Sequence, residues 1–222
     1  DRNMGIVRDV LVRRGGPVAL RDAHVVTKLA VPSLATADLT VRARARNDSD
    51  APVTAEVTGV IGPTRFGGTL RLAAHETRTV TFSPAEVPRL RLAAPQVWWP
   101  AGMGGQPLYD LDLTARVSGT VSDTAHESFG IRDVQAPLNA AGARQYRING
   151  RPLLIKGGGW SPDEFLRWDR GYAEDRLRYA VDLGLNTLRL EGHLEPDEFF
   201  ELADRYGVLT LPGWECCTKW EG

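Results

Sequence analysis

The sequence predicts two folds in series: an antiparallel β-sandwich of immunoglobulin type over residues 10–135, then an α/β unit with parallel strands over residues 136–222. Three observations carry this. Apolar and polar residues alternate with period two from residue 10 to about residue 130. That period ends at Asn149-Gly150. The stretch from Leu185 to Cys217 then reads as strand, helix, strand.

In the first part, Leu39, Val41, Ala43 and Ala45 alternate with Thr40, Arg42, Arg44 and Arg46, which gives one buried and one wet face. Asn47-Asp48-Ser49-Asp50 supplies a turn. Val53, Ala55 and Val57 form the next alternating run, and strands follow near 69–73 and 78–82. Leu111, Leu113, Ala115 and Val117 alternate with Asp112, Thr114 and Arg116. Short strands with regularly spaced turns predict a sandwich. The Arg42, Arg44, Arg46 row reads as a solvated face rather than an anion site, because acidic residues are as common nearby.

Trp98-Trp99-Pro100 interrupts the alternation. In an extended segment the two indoles point to opposite faces. One is expected to fill the sandwich core and the other to pack on a neighbouring domain; a sugar-stacking platform is the sharper alternative.

Phe129-Gly130-Ile131-Arg132 closes the sandwich. Asn149-Gly150 fits the tip of a tight hairpin. Leu153 to Ile155 is expected to begin a buried strand that ends at Gly157-Gly158-Gly159-Trp160. The glycine run lacks a phosphate-loop ending and is read as a close backbone approach to a ligand or a neighbouring strand. Tyr172 to Leu183 is expected to be helical, with Leu177, Ala180 and Val181 buried and Gly184 past its end. Phe199, Leu202, Ala203 and Tyr206 mark a second helix between Pro196 and Gly207. Strand-helix-strand connections make the flanking strands parallel and the crossover right-handed. Glu191 and His193 then lie beyond one strand, and Trp214 and Glu215 beyond the next, on one rim. Such rims hold ligands in α/β folds. Three strands and two helices form either the start of a (β/α)8 barrel or a smaller open sheet.

Composition narrows the function classes. The net charge of -1 gives no electrostatic case for nucleic acid or an anionic membrane. No apolar run approaches the ~20 residues of a membrane span, and no signal peptide is visible. The two cysteines, Cys216 and Cys217, are adjacent, which excludes a disulfide-stapled scaffold and leaves two thiols or a strained vicinal disulfide. Glu191, His193 and Glu195 do not have the spacing of a common zinc motif, so no metal and no cofactor is expected.

Trp98-Trp99-Pro100, Phe129-Gly130-Ile131-Arg132, Asn149-Gly150-Arg151-Pro152, Leu154-Ile155-Lys156-Gly157-Gly158-Gly159 and Asn186-Thr187-Leu188-Arg189-Leu190, in that order, resemble glycoside hydrolase family 2. Glu191 to Phe200 and Pro212 to Cys217 look most like its exo-β-D-glucosaminidase branch. The resemblance implies that residues 1–9 are the tail of a preceding jelly-roll domain and that residues 136–222 hold the first three strands of a (β/α)8 barrel. It implies a retaining hydrolase in which one carboxyl group protonates the leaving oxygen and another attacks the anomeric carbon. Those groups lie after the fourth and seventh barrel strands, so no catalytic residue is assigned here. The resemblance also implies a carbohydrate substrate carrying terminal glucosamine, with β-mannosides or β-galactosides as alternatives, and a secreted full-length protein.

Within that pocket a carboxylate beside an ammonium group makes a charge-assisted hydrogen bond that a hydroxyl cannot match. Glu215, Glu191 and Asp163 are the candidates, with His193 as a further contact and Trp214 and Trp160 as sugar-stacking rings. The plain alternative is a carboxylate that caps a loop or pairs with an arginine such as Arg189. Two other classes compete: a non-catalytic carbohydrate-binding module, and a structural spacer whose open sheet edge self-associates.

Overall fold

The computed structural model describes residue 6, residues 9–192 and residues 194–213. They divide into two compact units: Arg13–Gln96 with Leu108–Asp133, and Val97–Pro107 with Val134 onward and the start of the chain.

The first unit is sandwich-like. Its strands are β1 (Val18–Leu29), β2 (Thr36–Asn47), β3 (Val53–Ile61), β4 (Thr64–Leu72), β5 (Thr77–Phe82), β6 (Arg91–Ala93), β7 (Tyr109–Val117) and β8 (Thr120–Phe129). One sheet has the order β1-β2-β5, with β6 also on β2, and the other β4-β3-β7-β8. All these pairings are antiparallel. The period-two pattern is seen directly: Leu39, Val41, Ala43 and Ala45 are buried, as are Ala55, Val57, Leu111, Leu113 and Ala115. The arginine row faces outward, where Arg44 pairs with Asp22 and Arg46 with Asp48. It is a solvated, charge-balanced face.

The second unit opens with a small antiparallel sheet of β9 (Val134–Gln135), β10 (Arg147–Ile148) and β11 (Arg151–Pro152), in the order β11-β10-β9. Asn149 and Gly150 at its tip have φ of 51° and 78°, the left-handed pair a tight hairpin requires. The expected buried strand from Leu153 does not form as a continuous run. Leu153 is buried, but Leu154 is 76% exposed, and the strand is β12 (Gly157–Trp160). Lys156 N–H donates to Asn186 Oδ1, Asn186 Nδ2 donates to Leu154 O and Asn186 N–H donates to Lys156 O, so one buried asparagine fixes this approach through both its side chain and its backbone.

Next come α1 (Arg170–Asp182), β13 (Thr187–Leu190), α2 (Asp197–Tyr206) and β14 (Leu209–Leu211). Helix α1 begins two residues earlier than its apolar stripe indicated, because Asp169 accepts from Tyr172 N–H at 2.9 Å and caps it. Gly207 closes α2 at φ 73°, where a β-carbon would lie 2.6 Å from Ala101 N. Strands β12, β13 and β14 are parallel and adjacent in that order. One face of the sheet packs on the helices through Trp160, Leu188, Leu190, Ala173, Leu177, Ala180, Phe199 and Leu202. Truncating Phe199 in such a core costs about 3–5 kcal/mol.

The destination of 97–107 corrects the sequence expectation. The sandwich expectation included this segment, but Val97–Pro107 belongs to the second unit. Trp98 is fully buried there, and its Nε1–H donates to Asp204 O at 2.7 Å. Ala101 N–H donates to Gly207 O at 2.8 Å. Asn149 Nδ2 donates to Trp98 O at 2.9 Å, and the Arg151 guanidinium lies 5.2 Å from the Trp99 ring centre. The segment thereby satisfies carbonyls that the end of α2 leaves open. Trp98 thus serves the unit that holds α2, as expected of one of the two indoles, and its full burial leaves no face for a sugar. Among the described residues no helix is long and apolar enough to cross a membrane.

Candidate functional site

The carboxyl ends of β12, β13 and β14 share one edge, since the three strands run parallel. Three of the sequence-derived candidates lie at or just beyond that edge: Trp160, Asp163 and Glu191. Trp160 is the last residue of β12, and Asp163 follows in the loop to α1. Glu191 directly follows β13, and its N–H donates to Trp160 O at 2.9 Å. Pro212 and Gly213 follow β14. His193, Trp214, Glu215, Cys216 and Cys217 lie outside the described residues.

Two glycine contacts explain how closely this edge is built. A β-carbon on Gly213 would lie 2.0 Å from Leu190 O, so the chain leaving β14 crosses directly against the end of β13. A β-carbon on Gly157 would lie 2.6 Å from Thr187 O. The glycine run therefore serves a neighbouring strand. Gly159 has the Glu191 carboxylate over it, with Oε1 3.4 Å from the β-carbon position.

Both described carboxylates have arginine partners. Arg189 Nη1 donates to Glu191 Oε1 at 2.9 Å, on the sheet face away from the helices. Glu191 Oε2 has no partner among the described residues, and the side chain is 37% exposed. Arg167 donates to both oxygens of Asp163, at 3.1 and 2.8 Å. Phe165 N–H donates to Asp163 Oδ1 at 2.9 Å. The Arg167 hydrogen bond, helped by the backbone donors, holds the Asp163 carboxyl down at about 2 despite partial desolvation. Asp163 is thus an ionised carboxylate that organises its own loop. The cap-or-pair alternative describes its visible contacts.

Trp160 is not open for stacking. It is 4% exposed, with the Arg176 guanidinium 4.0 Å from its ring centre and Phe199 tilted against it at 4.7 Å. Its Nε1–H donates to Glu195 Oε1 at 2.8 Å. This corrects its reading as a sugar platform: the ring is buried and its polar edge has a protein partner. Glu195, Arg176 and the Trp168–Glu198 hydrogen bond were not singled out as site residues. The partners are 16 to 35 positions apart in sequence, and only the fold joins them. Among the described residues no three His, Cys, Asp or Glu side chains gather as a metal site.

Comparison with known proteins gives this edge a context. An exo-β-D-glucosaminidase of Streptomyces avermitilis is 79% identical over 222 residues, covering all of this chain and 25% of that protein. An exo-β-D-glucosaminidase of Amycolatopsis orientalis is 61% identical over the whole chain, which covers 21% of it. The crystal structure of an Amycolatopsis orientalis exo-chitosanase superposes with a TM-score of 0.92 at 61% identity, over all of this chain and 25% of that one. A variant of that exo-chitosanase is also known in complex with PNP-β-D-glucosamine. The chain therefore spans about a quarter of the length of these relatives. The family model described as glycosyl hydrolases family 2 matches residues 18–132, which is most of the sandwich-like unit. The chain belongs to glycosyl hydrolases family 2.

Proposed function

We propose that this chain is an immunoglobulin-like sandwich and the first three strands of the (β/α)8 barrel of a secreted, retaining exo-glycosidase. That enzyme removes terminal β-linked glucosamine from chitosan oligosaccharides. The observation that carries the reading is the shared edge of three parallel strands, with Asp163 and Glu191 on two adjoining strand ends and Glu215 two residues past Gly213. Identity to two exo-β-D-glucosaminidases over the whole chain supports the substrate.

On this reading the segment contributes specificity, not bond cleavage. The acid/base and nucleophilic carboxyl groups follow the fourth and seventh strands of a complete barrel. Asp163, Glu191 and Glu215 supply carboxylate acceptors for a substrate ammonium, with His193 and Trp214 as further contacts. Glu191 Oε2 is positioned to accept without breaking the Arg189 hydrogen bond. Solvent-exposed Leu211 on β14, and Tyr172, Tyr179 and Leu183 on α1, support self-association of the isolated chain.

The test is Glu215→Gln in the full-length protein. The ammonium reading requires kcat/KM on β-glucosaminides to fall about tenfold or more further than on β-glucosides, the scale of one charge-assisted hydrogen bond. Equal losses on both substrates would refute it.

A further inference from the structure

The loop between β12 and α1, which presents Asp163, is flanked by tryptophans that both donate to carboxylates at the start of α2. Trp160 Nε1–H donates to Glu195 Oε1 at 2.8 Å, one residue before Pro196. Trp168 Nε1–H donates to Glu198 Oε2 in the first turn of that helix. The first bond is part-buried, on an indole that is 4% exposed and covered by Arg176 and Phe199. The second is exposed. A hydrogen bond to an ionised acceptor is stronger than a neutral one, and removing the acceptor leaves a buried N–H without a partner.

We infer that Glu195, assisted by Glu198, is a positioning residue: its carboxylate holds the β12–α1 loop so that Asp163 faces the substrate edge. The role of the loop rests on the proposed ammonium-reading site; the tethering rests on the geometry alone. Between its ends the loop is locally ordered by Asp163, which accepts from Phe165 N–H and from Arg167, and Leu166 N–H donates to Asp163 O at 2.8 Å. That local turn is a rigid piece without a packed core of its own: Phe165 is 55% exposed. The two indoles therefore help to place it, beside Arg176 Nη1–H, which donates to Ser161 O at 3.4 Å.

The experiment uses the full-length protein with Glu195→Leu, Glu195→Gln and Trp160→Phe. Amide hydrogen exchange of residues 161–169 is expected to quicken about tenfold in E195L, in line with a lost charge-assisted bond. E195Q keeps an acceptor oxygen and is expected to restore near-native exchange. W160F removes the N–H together with the five-membered ring that packs in the core, so it quickens exchange by itself, and E195L in that background is expected to add nothing to W160F alone. Unchanged exchange in E195L, failure of E195Q to rescue, or additive losses in the double variant would overturn the tethering. Discrimination between a β-glucosaminide and a β-glucoside is measured on the same variants, and is expected to fall about tenfold in E195L and recover in E195Q. Faster exchange with unchanged discrimination would support the tether and sink the reading of Asp163 as an ammonium acceptor.

Discussion

Adding one methyl group at Gly213 should disturb substrate selection more than any other single methyl at this edge. In Gly213→Ala the new β-carbon would sit 2.0 Å from Leu190 O, whereas β-carbons essentially never approach a heavy atom within 3.0 Å. The two backbones must therefore separate by about 1 Å. Leu190 is held in β13 by pairing to Trp160 and is itself fully buried, so the chain leaving β14 is the part that yields. Trp214 and Glu215 follow immediately in sequence. A misplacement of about 1 Å at a substrate-positioning group costs on the order of a hundredfold in rate. The assay is kcat/KM of the full-length enzyme on a chromogenic β-glucosaminide. Gly158→Ala is the control, since a β-carbon there meets nothing within 4 Å. Native kcat/KM in G213A, or an equal loss in G158A, would refute the argument.

Trp98→Phe removes the five-membered ring of a fully buried indole and with it the N–H that meets Asp204 O at 2.7 Å, so the last turn of α2 should exchange its amides at least about tenfold faster, the hydrogen bond alone accounting for ~1–2 kcal/mol; unchanged protection would contradict the clamp. Arg167→Gln should raise the Asp163 pKa from about 2 toward the ordinary aspartate value of 3.8, as read by carboxyl NMR titration. The sign follows from linkage: the folded pKa is depressed, so the ionised Asp163 favours the fold above the unfolded pKa, and that contribution is lost as pH falls through about 2. A titration unmoved by R167Q would show that Arg167 is not the cause.

Local pattern made much of this fold legible. Leu39 to Ala45 announced their burial by alternation, Asn149-Gly150 its left-handed turn, and Gly207 the end of α2. The parallel edge followed from connection length, because a helix-length crossover brings both strand ends to one side. Long-range choices were not legible. Nothing local in Trp98 says that it serves Asp204, more than a hundred positions away, instead of the sandwich in which its segment is threaded. Trp160 looked available for stacking because its cover comes from Arg176, Phe199 and Glu195, each on a later part of the chain. Asp163 is a candidate for its charge, yet Arg167, four residues along the same loop, gives that charge a structural use as well. Glu191 and Arg189 lie on one sheet face by period two, so their pairing was foreseeable as the plain alternative.

The role of the acidic strand edge is tested most directly by the structure of the full-length protein with glucosamine bound at the non-reducing-end site. The glucosamine nitrogen is expected within about 3 Å of carboxylate oxygens drawn from Glu215, Asp163 and Glu191. A nitrogen that faces solvent, or that is held by groups outside this segment while these carboxylates keep only their arginine partners, would contradict that role.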